Sequence, residues 1–309
     1  MLTFYPATEP PATLQTSTQD PKLINNPTNL YLPFPTSHST TREEEQTKKK
    51  KMPTPTILIT GASSGLGHAF TTHYASQPTP PTILALDTRP FPQTSPSRKE
   101  STIQFHEIDI TSEVAVQRLA SSLASVAINL VIHCAGVRGL VPNAVAQERQ
   151  KGENEEKSVA ATERLGVMDK DTMTRTFEVN TFGAFNVVKA FSPNLLLERD
   201  LGAGRPPRVV VMSSRMGSVS SNTTGGGYAY RASKAALNAV VKSFVIDVPD
   251  VRFLMMHPGR VETRLVEWKE EGAIGVEESV KDCLQVFEGL EKGAWDGRLV
   301  DRFGEVIAW

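Results

Sequence analysis

From Thr56 onward, short apolar runs of β-forming residues alternate with helical patterns, and this alternation limits the chain to one class of architecture. Thr56-Ile-Leu-Ile-Thr60, Thr82–Asp87, Thr102–His106, Ile128–His133, Arg208–Met212 and Val251–Met256 read as strands, with a short seventh at Arg298–Val300. Gly65 to Ser76, Ser112 to Ser125, Thr172 to Lys189, Tyr228 to Val245 and Val276 to Leu290 read as helices, the second opened by Ser112 as N-cap. Strands that run apolar without alternation are buried on both faces. Joined by helices and right-handed crossovers, they make an α/β fold: one doubly wound parallel sheet of about seven strands with helices on both faces.

The chain has 309 residues. Its composition changes near residue 53. Residues 1–52 hold seven prolines and thirteen serines or threonines, with little apolar patterning to set against ordering entropy, and read as a disordered leader. It ends in Lys48-Lys49-Lys50-Lys51, a solvated tether by the simplest reading and otherwise a nuclear address or an acidic-partner contact. Residues 53–309 form the folded domain. Within it, residues 138–168 are polar and charge-rich and read as a partly disordered insertion at the rim of the site. The net charge of −1 argues against wholesale capture of nucleic acid or anionic membrane. No apolar run reaches the ~20 residues of a membrane span, and no metal site is expected. Two cysteines, Cys134 and Cys283, cannot build a disulfide framework, so a reducing, cytoplasmic setting is expected.

Directly after the first strand stands Thr60-Gly61-Ala62-Ser63-Ser64-Gly65-Leu66-Gly67. Glycines between a first strand and first helix permit a tight turn and close approach of backbone N–H groups to a pyrophosphate, where the helix dipole favours an anion. The turn makes the sheet Rossmann-type. The second strand ends in Asp87, twenty residues after Gly67. A carboxylate there accepts hydrogen bonds from ribose hydroxyls and favours NAD, whereas Arg89 is placed to pair with a 2′-phosphate and leaves NADP open. Farther along, Tyr230-Arg-Ala-Ser-Lys234 puts a phenol and an ammonium on one helix face. A neighbouring ammonium favours phenolate, which suits proton exchange with a substrate oxygen. Tyr228, six residues from Lys234, points elsewhere.

These motifs together resemble the short-chain dehydrogenase/reductase family, over roughly residues 55–309. Tyr230-Arg-Ala-Ser-Lys-Ala-Ala-Leu-Asn238, the His257-Pro-Gly turn and Gly304-Glu-Val-Ile-Ala-Trp309 resemble its C-factor-like carbonyl reductase branch. The resemblance implies an NAD(P)-dependent oxidoreductase moving hydride between nicotinamide and a carbonyl or secondary alcohol. It implies Ser214, three residues before Gly217, as the group orienting the substrate oxygen, with Ser213 as the fallback; Tyr230 as the proton donor; Lys234 as its partner; and Asn180 as support for a proton relay. The cofactor residues it implies are Gly61, Ser63, Ser64, Gly65, Leu66, Gly67, Asp87, Asp109, Ala135, Gly136, Asn180, Tyr230, Lys234, Pro258, Gly259, Val261 and Thr263. Asp109 also reads as a plain helix-start carboxylate beside Thr111. A small-molecule substrate and a homodimer or homotetramer follow as further expectations.

Three departures stand out. Cys134-Ala-Gly136 replaces the family's Asn-Ala-Gly, Arg260 stands where the branch often has Trp, and the segment after the Pro-Gly turn is short. An alternative is a dinucleotide-binding regulatory or signalling protein with little turnover.

Overall fold

The computed structural model describes residues 54–92, 102–152, 155–200, 206–290 and 295–309. The expected leader with its Lys48–Lys51 block lies outside the described residues.

Seven strands form a single parallel sheet: β1 (Thr56–Thr60), β2 (Thr82–Asp87), β3 (Ile103–Glu107), β4 (Leu130–His133), β5 (Arg208–Met212), β6 (Arg252–His257) and β7 (Asp296–Asp301). Their spatial order is β3-β2-β1-β4-β5-β6-β7. The order reverses between β1 and β4, where the chain ends diverge and leave a crevice above the carboxyl edge.

The strict two-residue period of a strand divides each apolar run between two helix layers. Leu58, Leu84, Leu86, Val131, Val209, Val211, Phe253 and Met255 face one way, onto α2 (Glu113–Ser122), α5 (Gly183–Asp200) and α6 (Tyr228–Asp247). Ile57, Ile59, Ile83, Leu130, Ile132, Val210, Leu254 and Met256 face the other, onto α1 (Gly65–Ala75) and α7 (Val276–Gly289). Burial on both faces explains why these strands lack polar alternation.

The structure adds elements to one expectation and corrects another. The insertion at 138–168 carries a helix, α3 (Pro142–Arg149), and a 3₁₀ turn at Ala160–Thr162. Pro142 suits a first helical position because its missing N–H has no intrahelical partner there, and Ala144, Val145 and Thr162 are buried. Likewise, the helix expected to stop at Lys189 begins as α4 (Lys170–Phe177), passes through a π-helical turn at Glu178–Phe182, and continues as α5 to Asp200. Pro193 fails to end it. Tertiary contacts override the breaker: Leu195 is fully buried, and Asn194 Nδ2 donates to the carbonyls of Leu123 (2.7 Å) and Val126 (2.8 Å) at the far end of α2.

On β6, Phe253 is 1 % exposed and stacks on Phe244 of α6, ring centres 6.0 Å apart. Phe253→Ala removes both the burial and the stack. It is expected to lower unfolding stability by about 3–5 kcal/mol in urea titrations; a cost under about 1 kcal/mol would mean that the layer repacks.

Candidate active site

The crevice is a cavity of about 470 Å³ running from the end of β2, past the turn after β1, to α6. Of the residues singled out from sequence, Gly61, Ser64, Gly65, Leu66, Gly67, Asp87, Asp109, Ala135, Gly136, Ser214, Tyr230, Lys234, Pro258, Gly259, Val261 and Thr263 line it. Ser63 and Asn180 do not line it, and both act from behind.

At the switch point the two strand ends touch. A Cβ on Gly61, at φ +66°, would stand 2.9 Å from Ala135 N, and one on Gly67 would stand 2.2 Å from the Gly61 carbonyl oxygen. Thr60 Oγ1 accepts hydrogen bonds from the N–H groups of Cys134 (3.1 Å) and Ala135 (3.2 Å). It thereby ties β1 to the segment that follows β4. The same hydroxyl lies 3.0 Å from His133 Nδ1. Having accepted twice, it donates to that nitrogen and leaves the ring proton on Nε2. Burial holds His133 neutral, its pKa brought down to about 3, with the Lys234 charge adding to the effect. Burial also pushes the Cys134 thiol up, which makes it inert as a nucleophile.

The N-cap of α1, Ser64, makes no side-chain bond to its own helix; its Oγ accepts from Arg89 Nη2 at 3.1 Å. The first backbone N–H groups of α1 therefore open onto the cavity at the helix's positive end. Asp87, 9 % exposed, holds the turn: Oδ2 accepts from Ser63 N (2.9 Å) and Oδ1 from Arg89 N (3.1 Å). Ser63 Oγ in turn donates to the Arg89 carbonyl at 2.7 Å. Asp109 lines the cavity and accepts from Thr111 N (2.9 Å) and Thr111 Oγ1 (2.8 Å), the bonds of a helix-start carboxylate.

Gly227 starts α6 in the left-handed region at φ +57°. One helical turn then sets Tyr230 (7 % exposed) and Lys234 (3 % exposed) side by side, with Lys234 Nζ 5.7 Å from the phenol ring centre. Lys234 Nζ donates to the Met212 carbonyl at 2.8 Å. Burial without an anionic partner lowers its pKa to about 8, a cost that the Cys134 thiol offsets in part. The two serines after β5 separate cleanly. Both line the cavity, but Ser213 Oγ is spent on Asn238 Oδ1 at 2.6 Å, whereas the Ser214 hydroxyl lies beside the Tyr230 phenol. Burial raises the Tyr230 pKa, while Arg138 and the Ser214 hydroxyl lower it against Glu163 and Glu270.

Asn180 sits in the π-helical turn, a deviation that commonly marks functional positions. Its amide clamps Val137 at both ends, Oδ1 accepting from Val137 N (2.8 Å) and Nδ2 donating to Val137 O (2.9 Å). It shares the space beside Gly136 with Lys234: a Cβ there would lie 3.1 Å from Asn180 Oδ1 and 3.7 Å from Lys234 Nζ.

The chain reading from sequence missed Arg138, Arg175, Arg264 and Leu265, which also line the cavity. It missed as well the ties across the rim. Arg149 of α3 pairs with Glu267 of the segment after the Pro-Gly turn, Nε to Oε2 at 2.7 Å. That segment is folded on itself through the Arg260–Ile274 and Glu262–Ile274 backbone bonds and the Arg260–Glu271 bond. Arg260, where the resembled branch often has Trp, thus braces the rim. Nothing in a single sequence marks pairs 118 positions apart.

A glycine-cradled helix end beside an acidic strand end, with a phenol and an amine at the far side of the same crevice, defines a dinucleotide-dependent oxidoreductase site. Comparison with known proteins agrees. The short chain dehydrogenase family matches residues 55–273. The chain is 31 % identical over 260 residues to a 1-hydroxy-2-glutathionyl-2-methyl-3-butene dehydrogenase of Rhodococcus sp. strain AD45, covering 82 % of this chain and 99 % of that one. It is 37 % identical over 147 residues to the C-signal of Myxococcus xanthus, covering 47 % of this chain and 83 % of that protein. Carbonyl reductase Sniffer of D. melanogaster superposes with a TM-score of 0.67 at 26 % identity, over 83 % of this chain and all of that one. NADPH-bound carbonyl reductase from chicken fatty liver superposes with a TM-score of 0.68 at 23 % identity, over 83 % and 99 %. The chain belongs to the short chain dehydrogenase family, and it is an NAD(P)-dependent oxidoreductase of that family.

Two measurements follow from this geometry. Gly67→Ala places a methyl group against the Gly61 carbonyl and is expected to abolish the thermal stabilisation given by NADPH; an unchanged shift would show that the turn does not cradle the nucleotide. His133 takes up a proton on unfolding but not when folded, so acidification from its ordinary value of 6.5 toward about 3 favours the unfolded chain. The urea midpoint should fall between pH 7 and 5, and less steeply in His133→Asn. Equal slopes would exclude His133 as a source of acid sensitivity.

Proposed function

We propose that the protein reduces a small aldehyde or ketone, or oxidises the matching alcohol, with Ser214, Tyr230 and Lys234 as catalytic residues and Asn180 as their support. The observation that carries this reading is the convergence of the Ser214 hydroxyl, the Tyr230 phenol and the Lys234 ammonium on one crevice wall, opposite the glycine turn. The residues present fit a pyridine dinucleotide. The cradle that a Cβ at Gly61 or Gly67 would fill, the open N-terminus of α1, and Asp87 at the end of β2 suit its pyrophosphate and adenosine ribose.

When bound, the nicotinamide supplies the hydride chemistry. The chain's own residues do the rest. Tyr230 donates a proton to the carbonyl oxygen in reduction and takes it back in oxidation. Ser214 donates a hydrogen bond to the same oxygen as charge builds on it. Lys234, whose ammonium has donors beyond the one given to Met212, holds the nicotinamide ribose and favours the phenolate. Asn180 fixes Val137 and so the backbone beneath the reacting groups.

Asp87 supports NAD and Arg89 supports NADP. Each Asp87 oxygen has one backbone partner and retains capacity for ribose hydroxyls, while the Arg89 guanidinium, 54 % exposed, reaches Ser64 at the cavity rim. We therefore expect both nucleotides to bind. Arg89→Leu is expected to weaken NADPH by about tenfold, the loss of one charge-assisted pair, and to leave NADH unchanged in fluorescence titrations; equal losses would remove Arg89 from 2′-phosphate recognition. Phe182 and Phe185 are exposed along the π-turn and α5, and a homodimer or homotetramer covering them is part of the same reading. Two free cysteines accord with cytoplasmic residence.

The deciding experiment is Tyr230→Phe assayed with NADPH and NADH across aldehydes and ketones. Turnover should vanish while nucleotide affinity stays. Undiminished turnover would take Tyr230 out of the mechanism, and binding without turnover in the unaltered protein would favour a sensor.

A further inference from the structure

Behind the phenol lies a second buried cation that the catalytic reading does not use. Arg138 follows β4 by five residues, and its guanidinium carbon sits 4.9 Å from the centre of the Tyr230 ring. This is closer to the ring than Lys234 Nζ at 5.7 Å. The arginine is held rigidly. Nε donates to Glu163 Oε2 at 2.8 Å and Nη2 to Glu163 Oε1 at 2.7 Å, with side chains only 13 % and 8 % exposed. A planar fork of this kind fixes direction as well as distance. Both partners are also fixed at their backbones. Val137, immediately before the arginine, is clamped by the Asn180 amide, and the Glu163 carbonyl accepts from Gly227 N at 3.0 Å, the residue that opens the helix bearing Tyr230. The insertion thus docks the Glu163 carbonyl on the start of the catalytic helix and, through the Glu163 carboxylate, orients one guanidinium on the catalytic ring.

We propose that Arg138, held by Glu163, is a positioning residue for the reaction, a second cation that stabilises the phenolate form of Tyr230 and fixes the ring against the crevice. The proposal rests on Tyr230 being the proton carrier. The charged groups facing the phenol are Lys234 from its own helix, Arg138 from the segment after β4, Glu163 from the insertion and Glu270 from the segment after the Pro-Gly turn; the neutral Ser214 hydroxyl comes from the end of β5. Both cations favour phenolate and both carboxylates oppose it. Glu163 therefore has two opposite effects: it aims the arginine, and it cancels part of its charge. That opposition gives a signature that loss of structure alone would not produce.

The test uses the full chain with NADP and 1-phenylethanol as the secondary-alcohol probe, reading kcat/KM against pH. Oxidation needs the phenolate, so activity rises with pH through the Tyr230 titration. Arg138→Met keeps the packing on the ring and removes the charge, and its rising limb should move up by about one pH unit. Arg138→Lys should restore most of the shift. Glu163→Gln keeps an acceptor for the fork but removes the opposing charge, and its limb should move down. The double variant Arg138→Met/Glu163→Gln leaves no orphaned buried charge, and its limb should move up by less than that of Arg138→Met. A cooperative thermal melt in all four shows that each is folded, and kcat/KM read at saturating NADP places the effect in the proton step. Superimposable limbs in variants that melt cooperatively, or limbs of Arg138→Met and Glu163→Gln that move in the same direction, would overturn the proposal. Turnover surviving in Tyr230→Phe would instead overturn the reading beneath it.

Discussion

The contact between the ends of β1 and β4 is the constraint on which the site depends. Gly61 can lie against Ala135 only because neither chain carries bulk there, and the Thr60 hydroxyl holds the two strand ends together by accepting both N–H groups beyond β4. The strand order reverses at this place, so the crevice above it is open by topology. From one bank rises α1, with its free N–H groups; from the other comes the segment that passes Gly136, Val137 and Arg138 toward the phenol. Opening that contact would separate the turn that holds an anion from the groups that move a proton.

Cys134, one of the departures from the family pattern, stands in the same place. The bridging there is done by Thr60 through the backbone N–H groups of Cys134 and Ala135, beside a buried neutral His133. Polar groups this deep need partners, and the threonine serves three of them at once. The same economy appears around Asn180, whose single amide fixes both backbone groups of Val137 and also donates to Ser233 Oγ at 3.0 Å.

Much of this was legible in the sequence, for physical reasons. Unbroken apolar strands such as Thr56–Thr60 can only be buried on both faces, and Gly61, Gly65 and Gly67 occupy positions where a side chain would collide with backbone or with Thr263. Local spacing sufficed to put Tyr230 beside Lys234. What escaped was long-range. The helix expected to stop at Lys189 runs on through Pro193 because Asn194 is anchored by partners about 70 positions away and Leu195 is fully buried. The charge-rich run around residue 150 looks unable to order itself, and it is ordered by others: Arg149 finds Glu267, and Glu148 takes the N–H of Ser158 at 2.7 Å. Arg138 gave no signal because its meaning lies in Glu163 and Tyr230, neither of which is near it in the chain.

The central claim is geometric: one dinucleotide spans the crevice from Asp87 to Tyr230. A crystal structure of the protein grown with NADPH tests it directly. The expected result is the pyrophosphate on the N–H groups at the start of α1, the nicotinamide ribose within hydrogen-bond reach of Lys234 Nζ, and the reactive ring carbon facing the side on which Ser214 and Tyr230 converge. A nucleotide bound outside the crevice, or lying in it with its nicotinamide turned away from Tyr230, would contradict the account.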